Sequence, residues 1–273
     1  MKNSVTKILF PLLFLSLVTN LPSFAQQSSD HLYMKVDYFR ATGPQMADYL
    51  EVEQEIWKPM HQERFNRGII LSWDFYAVFA GDQADDYNYI AVNVFDDFDK
   101  IDYYDLSSIA SEVYPDMDLG ALMERTRASR EVVRTEIWKV NKRLFKEGLT
   151  SPQGAYATAR FYKNKKGNEG KDAGLTGFEE GVHLERISQD RLNSWGNYSV
   201  VYPDGVSTPY NRIEMNYYDQ MIDLIQPVDL TVARQAFPDY DEALLKELLK
   251  QLDHSGALSK TEVWKRLDSI GNE

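Results

Sequence analysis

Short segments in which apolar and polar residues alternate recur along the chain, and this period of two is that of β-strands with one buried face. In the first half these segments lie at 32–40, 69–80, 87–95 and 132–140. Gly43-Pro44 opens a helix that runs to about Arg67, and Gly68 ends it, because glycine readily takes the left-handed conformation after a helix. A second helical stretch at 97–129 is interrupted at Pro115. The first half is therefore predicted to read strand, helix, strand, strand, helix, strand.

The second half repeats this order. Its strands are predicted at 156–163, 195–202, 210–218 and 258–267, its first helix at 175–193, and its second helical stretch ends at about 252. Four short sequence matches support a duplication: 87–96 with 210–219, 115–118 with 238–241, 135–139 with 261–265, and 62–66 with 189–193. Matches at a nearly constant offset are typical of a repeated unit. We therefore predict two copies, at 26–148 and 149–273, joined near the segment 146–154, which contains glycine and proline.

The strand at 87–95 indicates how the predicted sheets pack. Its apolar face, formed by Ile90, Val92 and Val94, is expected to contact the helices. Its other face is aromatic and partly polar, with Tyr87, Tyr89, Asn93 and Phe95. The helices of a ferredoxin-like βαββαβ unit cover only one face of its sheet, so we expect the remaining faces of the two sheets to pack against each other. The result would be a closed barrel with a pseudo-twofold axis.

This arrangement would place polar residues inside the barrel, namely Lys35, Asp37, Asn93, Arg160, Arg212, Glu214 and Asn216. Buried charges are costly unless they are paired. Two interpretations stay open. The residues form a network of ion pairs that fixes how the halves pack, or they line a polar, tyrosine-rich cavity for a small amphipathic or carbohydrate-like ligand.

The composition and the first 25 residues predict an exported protein. Lys2 and Lys7 precede an apolar run at 8–18 that is too short to span a bilayer, and Ser23-Phe24-Ala25 has the form of a signal-peptide cleavage site. The chain has no cysteine, so a lipid-attachment cysteine and disulfides are excluded. Removing residues 1–25 changes the formal charge from -12 to -14, which argues against nucleic acid and anionic membranes as partners. We expect a soluble periplasmic or secreted protein without a membrane anchor.

The segment from Glu53 to Arg64, continued through Gly68 to Trp73, together with the repeated βαββαβ order, resembles exported members of the dimeric α/β-barrel superfamily. The resemblance implies an α+β fold of two tandem ferredoxin-like units that form one barrel within a single chain. The superfamily includes heme-degrading and cofactor-free monooxygenases, chlorite dismutase-like heme proteins, polyketide cyclases, stress-response proteins and proteins without a known reaction. The fold alone does not choose among these functions.

The predicted first helix carries the sharpest candidate site. Glu53, Trp57 and His61 follow at i, i+4 and i+8 and line one stripe, while Pro59 between them frees the carbonyl of Glu55 and kinks the helix. We hypothesise a cleft between this helix and its sheet that binds a small organic ligand. In one interpretation His61 is a general base or an axial ligand oriented by Glu53 or Glu63. In the other, Trp57 belongs to the core and His61 lies at the helix edge.

The ligand-binding residues of this cleft are predicted to be Glu53, Trp57, Trp73, Tyr76 and Asn93, with His61 as the candidate catalytic residue. Whether the protein is an enzyme stays open. The alternative function is a cofactor-independent monooxygenase or cyclase that uses His61 with Trp57, Tyr76 and Asn93. The match of 62–66 with 189–193 places Ser188 opposite His61 and implies that the second half lacks about five residues before Trp195. Any such chemistry would then belong to the first half alone.

His183 lies on the corresponding helix of the second half. Chlorite dismutase-like proteins hold heme through a histidine of their second unit, so the resemblance makes heme binding a further alternative, although no cofactor is predicted from the residues. The four histidines, His31, His61, His183 and His254, do not have metal-ligand spacing, so no metal site is predicted. The identity of the ligand and the oligomeric state are left open by the sequence.

Overall fold

The computed structural model of the protein describes residues 31–81, 86–102, 105–164, 173–205, 208–226, 228–254 and 256–271. Its strands are β1 (Tyr33–Arg40), β2 (Ser72–Ala80), β3 (Tyr89–Phe95), β4 (Glu131–Phe145), β5 (Tyr156–Lys163), β6 (Ser194–Tyr202), β7 (Arg212–Tyr218) and β8 (Ala257–Ile270). Its helices are α1 (Gln45–Val52), α2 (Lys58–Asn66), α3 (Leu106–Val113), α4 (Leu119–Ser129), α5 (Ala173–Ser188), α6 (Met221–Leu224), α7 (Leu230–Ala236) and α8 (Glu242–His254). The predicted signal peptide at 1–25 lies outside the described residues.

The eight strands form a closed antiparallel barrel in the order β1-β3-β2-β8-β5-β7-β6-β4. The two longest strands, β4 and β8, join the halves, because β4 pairs with both β1 and β6, and β8 pairs with both β2 and β5. Each therefore extends beyond its predicted bounds of 132–140 or 258–267. The mixed α+β class and the closed barrel are confirmed.

Within β3 the two faces of the sheet are the reverse of the prediction, whereas Tyr87, which precedes β3, lies inside the barrel as predicted. Ile90, Val92 and Val94 pack inside the barrel, in one apolar cluster with Ile213 and Met215 of the second half. The opposite row of β3, with Tyr89 and Phe95, packs under the helices of the first half. The interior of a closed barrel is shut off from water along its length, so the purely aliphatic rows are buried there, where an unpaired polar group would be most costly.

Carboxylates are nevertheless buried inside the barrel. Asp74 of β2 pairs with Arg266, and two others link the halves, of which the first is Glu136 on β4. Its side chain is 4% exposed. It accepts hydrogen bonds from the Tyr210 hydroxyl of the second half and from Trp138 Nε1 at 2.9 Å. The Arg134 guanidinium lies 3.2 Å from it. This carboxylate is stabilised by the tyrosine of the other half, which makes the hydrogen bond a link between the halves.

The second buried carboxylate, Glu262 on β8, has the reciprocal arrangement. The Tyr87 hydroxyl of the first half donates to it, Trp264 Nε1 donates at 2.7 Å, and Lys260 Nζ lies 2.7 Å away. The indole of Trp264 stacks on that of Trp138, with ring centroids 6.5 Å apart at the centre of the barrel. Each half therefore donates a tyrosine hydroxyl to the buried carboxylate of the other half, and both halves contribute to one aromatic core.

The outer surface of the barrel is covered by helices. Tyr49 of α1 and Met60 of α2 pack on Trp73 and Phe75 of β2. In the second half Phe178 and Val182 of α5 pack against α7 and α8 through a separate apolar cluster. Among the described residues, no helix is both long and apolar enough to cross a membrane.

Replacing Tyr210 with phenylalanine is expected to lower the free energy of unfolding by roughly 1–3 kcal/mol, because the buried Glu136 carboxylate loses a donor that nothing replaces. Urea unfolding followed by tryptophan fluorescence measures the change. The control is Tyr202→Phe, since the Tyr202 side chain is 61% exposed. Equal free energies of unfolding for the two variants would show that the hydrogen bond from Tyr210 to Glu136 does not stabilise the contact between the halves.

Candidate functional site

The helix that leads into the candidate site contains one widened turn. Between α1 and α2, residues Glu53–Trp57 form a single π-helical turn, a feature often found at functional sites. Pro59 has no amide hydrogen, so the carbonyl of Glu55 lacks its usual donor. The Tyr114 hydroxyl donates to this carbonyl instead, and to that of Ile56 at 3.2 Å. The freed carbonyl predicted from the sequence is thus present, and the loop after α3 satisfies it.

Glu53 forms a buried ion pair with Arg130, which precedes β4. The Arg130 guanidinium also lies over aromatic rings, 4.1 Å from the centroid of Phe39 and 5.5 Å from that of Trp57. Burial raises the pKa of Glu53, and the charge of Arg130 opposes this shift. Trp57 is fixed in turn by a hydrogen bond of 3.1 Å from its Nε1 to the Thr126 hydroxyl. The ion pair of Glu53 with Arg130 forms one wall of the candidate site.

His61 is held from both sides. Its ring stacks on Trp73, with centroids 5.1 Å apart and an interplanar angle of 21°. Arg64 Nη1 donates to His61 Nδ1 at 3.1 Å and to Asn93 Oδ1 at 3.1 Å. A guanidinium can only donate, so Nδ1 must carry the lone pair. Burial, followed by the positive charge of Arg64, holds the pKa of His61 well below its usual value of 6.5. The ring is therefore neutral at pH 7, with its proton on Nε2.

This geometry corrects the predicted orientation of His61. Glu53 pairs with Arg130, and Glu63 pairs with Arg67 at 2.6 Å, so neither carboxylate orients the imidazole. The basic nitrogen is occupied by a cation, and the nitrogen available to a bound molecule is an N–H donor. His61 is thus arranged to donate a hydrogen bond, not to act as a general base.

A cavity of about 570 Å³ lies between this helix and the sheet. Its lining combines aromatic, aliphatic and charged side chains: Lys35, Asp37, Phe39, Glu53, Trp57, His61, Arg64, Ala91, Asn93, Phe98, Ile101, Asp102, Arg130, Val132 and Ile137. The polar row of β1 and β3 that was expected inside the barrel therefore faces the helices, where it forms the floor of this cavity.

Four of the six predicted site residues, Glu53, Trp57, His61 and Asn93, line the cavity, and Trp73 supports His61 from behind. Tyr76, which was predicted to bind the ligand, does not line the cavity. It lies in the barrel interior, where its hydroxyl accepts a hydrogen bond of 3.3 Å from Arg266. Side chains alternate along a strand, so residues 73 and 76 of β2 point to opposite faces.

The second half contains the same constellation. His183 of α5 stacks on Trp195, with centroids 4.9 Å apart and an interplanar angle of 19°. Arg186 Nη1 donates to Asn216 Oδ1 at 3.3 Å. In both halves the histidine and the arginine are three residues apart. The expectation that Ser188 corresponds to His61 is therefore wrong, because His183 occupies that place.

The ends of α2 and α5 show which residues of the two halves correspond. Gly68 ends α2 with φ +66°, and Ile69 N donates to Arg64 O. In the second half Asp190 adopts φ 58° and Arg191 N donates to Arg186 O. The match of 62–66 with 189–193 was a chance resemblance, and the proposed deletion before Trp195 does not exist. Asp190 takes the left-handed position that glycine occupies in the first half, which hid the correspondence.

The halves differ beside the histidine, where β3 has Ala91 and β7 has Glu214, and the neighbouring strand has Asp37 in the first half and Arg160 in the second. The Glu214 carboxylate accepts from Asn216 Nδ2 at 3.0 Å and from the Tyr162 hydroxyl at 3.3 Å, and it lies 3.6 Å from His183 Nε2. Burial alone would raise the pKa of Glu214, but His183, followed by Arg160 and Asn216, lowers it to about 2. The second half thus places its own carboxylate beside the histidine.

Glu179, His183 and Glu214 form the one described group of three side chains that could hold a metal ion, with one ligand atom of each within 4.8 Å of the others. The sequence analysis missed it, although Glu179 and His183 have the i, i+4 spacing of a helical ligand pair. The charges of Arg160 and Arg212 act on both carboxyl groups, and such cations oppose a metal ion. The cluster is better described as an internal network of hydrogen bonds and charges.

Glu179→Gln is expected to stabilise the protein more at pH 8 than at pH 5. Burial, followed by the Glu214 charge, raises the pKa of Glu179 to about 7 from its ordinary 4.5. Folding therefore costs free energy above pH 7, where the carboxyl is charged, and this cost disappears as the pH falls from 7 towards 4.5. The gain in unfolding free energy at pH 8 should be roughly 1–3 kcal/mol.

Urea unfolding of the wild type and of the Glu179→Gln variant at the two pH values measures this difference. The same substitution at Glu124, which is exposed on α4, serves as the control. A benefit of Glu179→Gln that is equal at pH 5 and pH 8 would contradict the assignment.

No protein-family model matches the sequence, and no curated protein matches it. The structure is similar to that of a "putative monooxygenase" from Lactobacillus acidophilus, with 9% identity, a TM-score of 0.53, and coverage of 88% of this chain and 96% of that one. A second protein of the same description, from Fusobacterium nucleatum, has 10% identity, a TM-score of 0.50, and coverage of 88% and 94%. A heme-binding protein from Thermus thermophilus has 10% identity, a TM-score of 0.47, and coverage of 90% and 94%.

These identities show the fold alone. The chain has the fold of the dimeric α/β-barrel superfamily, and the resemblance stated from the sequence is confirmed at that level.

His61 does not fit heme ligation as the structure has it, whereas His183 has an acceptor beside one of its ring nitrogens. A histidine that binds a metal usually donates its second ring N–H to an acceptor, which makes the ligating nitrogen more basic. The second nitrogen of His61 instead accepts from Arg64, which has the opposite effect. Nε2 of His183 lies 3.6 Å from Glu214, which Asn216 and Tyr162 hold in place.

Proposed function

We propose that the protein binds a small organic molecule in the cavity of the first half, between the widened helix turn and the sheet. The observation that carries this proposal is the cavity of about 570 Å³, a size typical of small-molecule sites, with His61 at its wall. Apolar walls accept the body of the ligand, and a few fixed polar groups orient it.

Two polar side chains of the lining, His61 and Asn93, are arranged as donors. Arg64 donates to Asn93 Oδ1, so the amide NH₂ group of Asn93 is left as a donor. Arg64 also donates to His61 Nδ1, so the Nε2–H group of His61 is left as a donor. Phe39, Trp57 and Ile137 supply the apolar contact. A bound molecule should therefore present a hydrogen-bond acceptor to His61 and Asn93 and a planar or aliphatic body to the aromatic wall.

The charged groups at the cavity are largely paired before any ligand binds. Lys35 lies 3.2 Å from Asp37, and Arg130 pairs with Glu53. Paired charges keep their positions, so the cavity is preorganised and little ordering of side chains opposes binding.

The alternative function is a cofactor-independent monooxygenase or cyclase at the same site. The observation that favours it is the neutral imidazole in the cavity wall with its proton on Nε2, because such a donor stabilises negative charge that develops on a substrate oxygen. In this reading His61 stabilises an oxyanion, and Asn93 assists it. Tyr76 has no part, since it lies inside the barrel.

We also propose that the chain is a tandem duplication, with units at 26–148 and 149–273, and that it acts in the periplasm or outside the cell. The strand order supports the first point, because β4-β1-β3-β2 and β8-β5-β7-β6 have the order of ferredoxin-like units. The export proposal rests on the apolar segment at 8–18 and the small residues before Gln26.

Ligand binding is tested by NMR titration with a panel of benzoate, phenylacetate, their amides, phenol and 1-naphthol. At least one compound should shift the indole N–H signal of Trp57 in the wild type. Ala91→Met fills the cavity floor and should abolish the shift, whereas Ala128→Met, on the exposed side of α4, should not. A panel without binders, or binding that survives Ala91→Met, would contradict the proposal.

The enzymatic alternative predicts consumption of dioxygen when 1-naphthol is present, measured with an oxygen electrode. His61→Phe keeps the stacking on Trp73 but removes the N–H donor, so it should lower the rate by about tenfold or more. Consumption that is unchanged in His61→Phe would rule out this role for the imidazole.

A further inference from the structure

We infer that the ligand of the first-half cavity carries a carboxylate, and that this carboxylate lies where the Glu214 side chain lies in the second half. The inference rests on the proposed function and names the chemical class of the ligand. Its basis is the comparison of two constellations that share a histidine, an arginine, an asparagine and a tryptophan, with Ala91 of the first half at the strand position of Glu214 in the second.

The donors of the two halves correspond group by group. In each half an arginine three residues after the histidine holds an asparagine by its Oδ1, and a tryptophan stacks on the histidine. In the second half the histidine Nε2 and the asparagine Nδ2 both approach one oxygen of Glu214, at 3.6 and 3.0 Å. The same two donors of the first half, on His61 and Asn93, line the cavity.

The register of the strands shows that Ala91 and Glu214 are equivalent. Ala91 pairs with Asp37 on β1 and with Phe75 on β2. Glu214 pairs with Arg160 on β5 and with Asn197 on β6, which are the corresponding positions of those strands. A glutamate in the second half is thus replaced by a methyl group in the first, and the space beside the histidine is part of the cavity.

The charges around the two histidines support an anion in this space. After burial, the groups that lower the pKa of His61 are three cations, Arg64, Arg130 and Lys35. At His183 the Glu214 carboxylate opposes the cations that surround it. Glu214 thus supplies a carboxylate beside the histidine of the second half, whereas the first half has Ala91 at that position. Two of the first-half cations already have partners, since Lys35 pairs with Asp37 and Arg130 with Glu53.

A carboxylate is the group that best fits these donors. It accepts charge-assisted hydrogen bonds from an imidazole N–H and an amide NH₂, and these are stronger than bonds to a neutral carbonyl. The rest of the molecule would lie against Phe39, Trp57 and Ile137. The ligand class is therefore a small aromatic or alicyclic carboxylic acid.

The test compares each acid with its neutral amide of the same shape: benzoate with benzamide, and phenylacetate with phenylacetamide. Isothermal titration of the wild type at pH 7 should show that at least one acid binds tenfold or more tightly than its amide. Ala91→Glu should abolish this binding, because the new side chain places its own carboxylate in the cavity. Ala128→Glu adds the same charge on the exposed side of α4 and should leave binding unchanged.

The reciprocal variant is Glu214→Ala, which should open a matching space in the second half. The number of bound benzoate molecules should rise from one to two, and benzoate, unlike benzamide, should raise the melting temperature lowered by the substitution. If this variant does not fold, the acid and amide titrations of the wild type and Ala91→Glu decide the matter.

The possible failures are distinguishable. If an amide binds in the cavity as tightly as its acid, and Ala91→Met abolishes both, the cavity binds ligands and the carboxylate inference is overturned. If no compound of the panel binds, the proposed function itself fails, and this inference fails with it.

Discussion

The closure of the barrel around two buried carboxylates is the constraint on which the rest of the structure depends. Glu136 and Glu262 lie in an interior shut off from water, and each receives a hydrogen bond from the tyrosine of the opposite half, Tyr210 or Tyr87. Each acid also has donors in its own half, such as Tyr38 at Glu136, and the tyrosine of the opposite half adds a further donor to each buried carboxylate. The stacked indoles of Trp138 and Trp264 fill the space between them.

This interior determines where chemistry can occur. The inward rows are largely apolar, and their polar members include these groups and the ion pair of Asp74 with Arg266. The row with Asn93 in the first half and Asn216 in the second faces outward, under the helices. There each half has a histidine, an arginine, an asparagine and a tryptophan in corresponding places, but the space beside the histidine differs. The second half fills it with Glu214, whose own carboxylate meets the donors, whereas Ala91 leaves the corresponding space of the first half as a cavity. The exchange of alanine for glutamate at this strand position, together with that of Asp37 for Arg160 on the neighbouring strand, distinguishes the candidate binding site from the self-satisfied cluster.

The local sequence patterns predicted the elements well and their contacts poorly. The alternating segments are strands, the helix ends at Gly68, and Pro59 frees the Glu55 carbonyl, all of which follow from interactions within a few residues of the chain. The period of two also shows that Tyr89 and Asn93 share a face, but it does not state what that face contacts. The aliphatic row was assigned to the helices, although closure of the barrel buries it inside.

The sequence by itself therefore determined the order of strands and helices, the repetition of that order and the stripe of Glu53, Trp57 and His61. Only the tertiary structure decided that Arg64 holds His61, that Tyr76 belongs to the interior, and that His183, not Ser188, is the counterpart of His61. The physical reason is that backbone preferences and periodicity act over a few residues, whereas the partner of a buried polar group is chosen by the closure of strands distant in the chain. The role of the first-half cavity depends on that closure, since its floor, wall and donors come from β1, β3, β4 and the widened helix turn.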